Sequence, residues 1–255
     1  ICEQCGIPIE ILPPLAEPGS QEGFLTLEMA NLCGLQEGIP VALGTNDAAS
    51  ALMGAGNSHN GDILNISGSS EMVSVLTNIP RIDDRYYLRC SAVPGLWQIY
   101  ATTAGGFALD WFRKEFCKEM DEQSFFQHEF SLVVEEYLAK TKVHFKPYLA
   151  GDRQSLTPKT GVFSGLTLYS TREDLLAAML LGIHEPIRTV IQTCETFMQL
   201  SNTIRLTGGM VNPAYLQVKQ MLFPNYRFEF LSNCPIIGNV KLALSESDRK
   251  GEKIW

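Results

Sequence analysis

Four glycine-rich turns, each placed straight after a short apolar run, constrain this chain more than any other feature. They are Gly44-Thr45-Asn46-Asp47, Ser67-Gly68-Ser69-Ser70, Ala104-Gly105-Gly106 and Thr207-Gly208-Gly209-Met210. The runs before them read as strands, and helical patterns follow the first, third and fourth turns. Glycine at a strand end lets the backbone come close to a ligand. Successive N–H groups and a helix N-terminus then form a site for phosphate oxygens. One such turn is only a turn. Several at the ends of neighbouring strands point to a nucleotide or a phosphorylated ligand. The P-loop is excluded, because no Gly-Lys-Ser/Thr occurs.

The spacing elsewhere fills in the elements. An extended, proline-stopped segment spans 9–14, a short helix 27–33 ended by Gly34, and a short buried strand 40–44. A small-residue helix covers 48–55. Strands at 62–65 and 72–76 flank the second turn, and strands at 86–93 and 96–102 flank Pro94-Gly95, a hairpin signal. Helices follow at 107–118 and 130–140, then an extended segment at 143–149 and a short strand at 161–168. The longest helical pattern, 172–198, is expected to be interrupted at Pro186. A strand at 203–206, a helix at 215–222, a strand at 226–231 and the start of a last helix at 240–244 complete the chain. A meander, then helices, then alternating α and β suits an α/β fold, a mixed sheet with flanking helices.

The composition narrows the function. The chain has 255 residues, 45% of them hydrophobic, which is ample for a packed core without disulfides or a structural metal. Its 28 Asp+Glu against 20 Lys+Arg, without basic runs, argue against nucleic acid or an anionic membrane as partner. No apolar stretch approaches the roughly 20 residues of a membrane span. Ile1-Cys2-Glu3-Gln4-Cys5 has neither the basic nor the apolar region of a signal peptide. Because the chain opens on Ile1 and on a helix end, it is expected to be a fragment of a longer protein. Seven scattered cysteines make a poor disulfide framework and point to the cytoplasm, and Cys2-x-x-Cys5 lacks the second ligand pair of a zinc site. His59, His128, His144 and His184 read as surface or locally satisfied side chains.

Asp47 is the candidate acid. It lies among small residues that leave room for a ligand, where it could take a hydroxyl proton or help hold Mg²⁺. It could equally N-cap the helix that follows, and spacing alone favours the cap. Ser69 and Ser70 could offer hydroxyls to phosphate or simply fill a turn. Asp152-Arg153 reads as a surface ion pair.

Taken in order, these segments resemble the FGGY carbohydrate kinases, a branch of the actin-like ATPase (ribonuclease H-like) fold. The resemblance runs through Gly34-Leu35, Pro40-Val41, Gly44-Thr45-Asn46-Asp47, Gly54 and Gly56, then Asn65-Ile66-Ser67-Gly68-Ser69-Ser70. It continues through Gly106 with Leu109-Asp110-Trp111, then Tyr148-Leu149-Ala150-Gly151-Asp152-Arg153 and Gly161 with Gly165-Leu166-Thr167. Leu181-Gly182-Ile183 with Arg188 and Thr207-Gly208-Gly209 complete it. It implies that residues 1–48 are the remnant of an N-terminal sugar-binding domain and 49–255 the C-terminal nucleotide-binding domain. Asp47 then matches the catalytic base, while the family's own Mg²⁺-linked Asp belongs to the N-terminal domain. Gly68 and Ser69 match the turn that holds the ATP phosphates, Gly106 a backbone contact to them, and Gly208, Gly209 and Asn212 the adenosine-binding turn. The implied activity is transfer of the ATP γ-phosphate to a ketose or polyol, closest to the xylulokinase-like and sedoheptulokinase-like members. The implied setting is cytoplasmic, with a homo-oligomer as in many relatives, and this chain alone inactive or nearly so.

Several positions depart from the family pattern: Ser69 for a frequent Thr, Pro213 in the adenosine turn, 154–158, Cys234-Pro235-Ile236-Ile237-Gly238, and 245–255. Two other readings stay open, a non-catalytic nucleotide-binding module of the same fold and a structural α/β domain whose turns are only turns.

Overall fold

A computed structural model describes residues 1–151 and 157–250, with 245–250 as backbone only. Asp152-Arg153 and most of 154–158 lie outside the described residues, as does the end of 245–255.

The centre is a six-stranded mixed sheet. β3 (Ile63–Ser67), β4 (Ser70–Thr77), β5 (Tyr87–Cys90) and β6 (Trp97–Ala104) form the antiparallel part. β9 (Thr203–Thr207) and β10 (Arg227–Phe230) run parallel to β3, giving the order β10-β9-β3-β4-β6-β5. Neighbouring side chains of β3 point to opposite faces, yet Ile63 and Leu64 are both fully buried. A strand that is apolar on both faces needs cover on both. Ile63, Val73, Val75 and Ile204 pack against Ile187, Val190 and Ile191 of α7 (Arg172–Glu195). Leu64 and Leu76 pack against Ala51, Leu52 and Ala55, in or next to α3 (Asp47–Gly54), and against Cys234, the first residue of α9 (Cys234–Lys250).

A third cluster joins α4 (Gly106–Phe116), α8 (Pro213–Leu222) and the first half of α7 to residues 122–137. That last segment is helical from α5 (Glu122–Ser124) through α6 (Phe130–Leu132), with π-helical turns at Phe125–Glu129 and Val133–Tyr137. It begins earlier than the expected 130 because Asp121 caps it, accepting the Ser124 N–H at 2.7 Å. β7 (His144–Lys146) and β8 (Val162–Ser164) form a hairpin against α7.

Several expectations need correction. α7 is not interrupted at Pro186. It starts on a Thr171–Asp174 capping box and continues to Glu195. Proline inside a helix costs roughly 3 kcal/mol, but Leu180 and Ile183 before it and Ile187, Val190 and Ile191 after it are all buried, and that packing outweighs the local cost. The last helix begins at Cys234, not 240. Pro235 falls in its first turn, where a missing N–H is tolerated. Segment 40–44 is not buried. β2 (Pro40–Ala42) pairs with β1 (Gln21–Phe24) in a separate two-stranded sheet, and Val41 is 45% exposed.

The rest of the N-terminal region is similarly open. α1 (Cys2–Cys5), a 3₁₀ turn at Ile9–Ile11 where extended chain was expected, and α2 (Leu27–Cys33) lie there. Thr26 and left-handed Gly34 cap α2 as its spacing predicts. Ala30 is the buried hydrophobic residue of this region. All seven cysteines are free. Among the described residues no helix is long and apolar enough to cross a membrane.

Candidate functional site

Three of the four glycine turns meet at one end of the sheet. Met210 donates its N–H to Ser67 O at 3.0 Å, Gly106 to Gly68 O at 2.9 Å, and Phe107 to Ser69 O at 3.1 Å. The turns after β3, β6 and β9 are therefore bonded backbone to backbone. Glycine is required where they touch. A Cβ on Gly208, whose φ is +120°, would fall 2.1 Å from Ser67 O, and one on Gly105 2.6 Å from the Ser70 carbonyl carbon. The outer side of the cluster is open. Gly209 has no atom within 4 Å of a built Cβ, Gly68 only Ser70 O at 3.9 Å, and Ser69 and Gly209 are exposed. Beneath them the Ser67 hydroxyl is buried without a hydrogen-bond partner among the described residues. Beside them opens a cavity of about 370 Å³, walled by Gly106, Leu109, Arg113, Phe125, Phe126 and Met210.

Asp47 sits elsewhere, as the first residue of α3. Asn46, not Asp47, caps that helix, its Oδ1 accepting the Ala49 N–H at 3.0 Å. Asn46 has the extended backbone of a cap (φ −67°, ψ 155°), and Asp47 is already helical. The capping role is thus filled one residue earlier. Asp47 is exposed, and among the described residues its carboxylate has one hydrogen-bond partner, the Ala48 N–H at 2.8 Å. No hydrogen bond or ion pair among the described residues ties it to the turn cluster. Asn212 is the N-cap of α8, accepting the Tyr215 N–H at 2.9 Å. Pro213 then occupies the first helical position, where it fits. The structure brings Gly68, Ser69, Gly106 and Gly208 together, with Gly209 next in the chain, and leaves Asp47 and Asn212 at the starts of two helices.

One group of polar residues under the turns is missing from the sequence reading. Lys219 of α8 and Glu71 of β4 are both 0% exposed and form an ion pair at 3.2 Å. Glu71 Oε1 accepts the Tyr215 hydroxyl at 2.6 Å and Oε2 accepts Asn65 Nδ2 at 3.0 Å. Lys219 Nζ donates to Asn65 Oδ1 at 2.7 Å and meets His184 Nε2 at 3.2 Å. His184 Nδ1 donates to Leu180 O at 2.8 Å, so the neutral ring offers Nε2 as an acceptor. Burial, and then the Lys219 charge, pull His184 down to about 4. Burial alone would raise the Glu71 carboxyl, but Lys219, His184, Tyr215 and Asn65 together hold it below its ordinary value. A signal was present. Tyr215, Val218, Lys219 and Leu222 share one face of α8, and Glu71 alternates with Val73 and Val75 along β4. Both charges therefore stand at core-facing positions.

No protein-family model matches the chain. The xylulose kinase of Staphylococcus epidermidis is 27% identical over 223 residues, 84% of this chain and 44% of that protein. The xylulose kinase of Bacillus subtilis is 26% identical over 251 residues, 95% of this chain and 49% of that protein. The chain thus spans about half the length of the curated relatives it matches. Among solved structures, xylulose kinase from Rhodospirillum rubrum aligns with a TM-score of 0.77 at 24% identity, over 99% of this chain and 51% of that one. Gluconate kinase from Lactobacillus acidophilus aligns at 0.81 with 19% identity, over 98% and 51%. Plasmodium falciparum glycerol kinase, solved with ADP, aligns at 0.73 with 19% identity, over 97% and 50%. In sequence the chain is a homologue of the xylulose kinases, and its fold is that of the FGGY sugar kinases, an actin-like ATPase fold of a mixed sheet with flanking helices.

Proposed function

We propose that this chain is the ATP-binding, C-terminal part of a carbohydrate kinase that transfers the γ-phosphate of ATP to a hydroxyl of a ketose or polyol. The convergence of three glycine turns around an open face, with the partnerless Ser67 hydroxyl beneath it, carries the reading. Phosphoryl transfer asks mainly for positioning and charge stabilisation. Gly68 and Ser69 would hold the phosphates and Gly106 would contact them through its backbone. Gly208 and Gly209 would pass the adenosine side, with Asn212 at the start of α8. The cavity beside Gly106 and Met210 is walled by Phe125 and Phe126 and by the charged Asp110, Arg113, Lys114 and Glu122, so it offers a base both an apolar surface and hydrogen-bonding groups. Asp47 would take the proton of the accepting hydroxyl.

Mg²⁺ fits this reading. Among the described residues no three acidic, His or Cys groups gather into a metal cage. Mg²⁺ bound with a nucleotide needs only one or two carboxylates besides the phosphates, and the exposed Asp47 at the start of α3 is the one this reading would bring to it. When bound, it would neutralise charge on the transferred group. We further read residues 1–48 as belonging with a sugar-binding part and 49–255 with the nucleotide. The open packing of the first region supports that division. Seven free cysteines and a need for ATP suit the cytoplasm.

The test is MgATP binding to this chain by calorimetry, with Gly209→Val filling the open side of the turn, and phosphate transfer to a panel of ketoses and polyols by a version that also carries the sugar-binding part the reading requires, with and without Asp47→Asn. The reading expects Gly209→Val to abolish binding. Asp47→Asn should lower transfer by about 10²–10⁴-fold while nucleotide binding survives. Full transfer by Asp47→Asn would move the chemistry elsewhere, and binding without transfer to any sugar would favour a non-catalytic module.

A further inference from the structure

The buried ion pair lies directly under the two turns that this reading assigns to the nucleotide. Glu71 is the second residue of β4 and stands opposite Ser67 in the sheet register, so it belongs to the hairpin that carries Gly68 and Ser69. Asn65 lies on the entering strand of the same hairpin. Lys219 and Tyr215 lie on α8, the helix that leaves the Gly208-Gly209 turn. His184 lies on α7. Five side chains from β3, β4, α7 and α8 therefore close on one point, all of them at most 2% exposed.

The bonding is complete. The ammonium has three hydrogens, and Asn65 Oδ1, the Glu71 carboxylate and His184 Nε2 provide three acceptors. The carboxylate receives Tyr215 and Asn65 besides Lys219. Stability alone does not call for such a group, since a well-packed apolar pair of similar volume often does as well or better. Charges add direction. Each bond here specifies where the β3–β4 hairpin stands relative to α8. Directly between the two turns, by contrast, the backbone bond runs from Met210 N–H to Ser67 O.

We propose that Glu71 and Lys219 are positioning residues. Their ion pair locks the phosphate turn (67–70) to the adenosine turn (208–210) and so sets the geometry in which a nucleotide is held. The proposal rests on the nucleotide-binding reading above. A structural element without this role would support the core but leave nucleotide affinity unmoved once stability is restored.

The experiment compares the protein with Glu71→Gln, Lys219→Met and the double variant, by thermal unfolding and by calorimetry with MgADP. Each single variant strands a buried charge and should unfold earlier. The double variant removes both charges and should recover much of that loss, yet bind MgADP at least about tenfold more weakly, because small misplacements at a site are expensive. Tyr215→Phe keeps the pair and removes one hydroxyl. It should unfold somewhat earlier than the parent, because the buried carboxylate loses one donor, with a smaller loss of affinity than the double variant; should the double variant fail to fold, Glu71→Gln measured below its own unfolding temperature is decisive. A stable double variant, or a folded Glu71→Gln, that binds MgADP as tightly as the parent overturns the positioning role while the nucleotide reading stands. A parent protein that does not bind MgADP at millimolar concentration overturns both.

Discussion

Two elements that start at candidate site residues are held in place by opposite means. α8, which begins at Asn212, is tied to β4 by buried charges and hydrogen bonds. α3, which begins at Asp47, is pressed against α9 with almost no side chain between them. A Cβ on Gly54 would fall 1.8 Å from Cys234 O, and one on Gly238 1.9 Å from Ser50 O. Ser50 Oγ donates to Asn239 Oδ1 at 2.7 Å, and Lys241 Nζ donates to Met53 O at 2.9 Å. The polar contact specifies direction and fails when one partner is lost. The glycine contact specifies distance and fails when an atom is added.

The largest effect should come from halving the polar contact. Lys219→Met leaves the Glu71 carboxylate buried and unpaired, which is expected to cost about 3–5 kcal/mol in denaturant unfolding. A loss under 1 kcal/mol would show that water reaches the site. Next is acid. His184 has a folded value near 4, below the ordinary 6.5, so the unfolded chain binds the extra proton first as pH falls. Stability present above pH 6.5 should therefore fall by about 3 kcal/mol towards pH 4. The lowered carboxyl of Glu71 acts in the same direction. His184→Gln should flatten the slope in that window, and an unchanged slope would assign the acid sensitivity to other groups.

Gly238→Ala tests the steric contact. It improves helix propensity yet drives a methyl group into Ser50 O, so a net loss of about 1–3 kcal/mol is expected. Unchanged stability would mean that α9 shifts freely, and the comparison with α8 would fail. A smaller effect should follow Asn46→Ala, about 1 kcal/mol from a lost N-cap on α3. The same change in Asp47 should cost less, because Asp47 is not the cap. Equal losses would restore the capping role to Asp47.

Much of this architecture was legible from local pattern. The hairpin strands around Ser67-Gly68-Ser69-Ser70, helix 27–33 with its Thr and Gly ends, and the strand before Gly208-Gly209 follow from short-range rules. The errors have a common cause. Pro186 carries a local signal to stop, and only the apolar neighbours that α7 meets across the sheet override it. Gly238 lies before the expected start of the last helix at 240, and only α3 placed against it shows why glycine stands there. Val41 and Leu43 read as core because they are apolar, yet the fold leaves both exposed. At the site, the glycine turns were legible because each needs only its own strand and helix. The Lys219–Glu71 pair was not, because its partners lie 148 residues apart.

The sequence by itself determined most of the strands, turns and helices, since these depend on neighbours in the chain. Only the tertiary structure decided that three of the turns share one open face, that Asn46 leaves the Asp47 carboxylate outside the cap, and that a lysine lies fully buried against a glutamate. Those outcomes depend on contacts between distant segments, and burial turns a lysine and a glutamate from ordinary surface charges into a paired, directional contact.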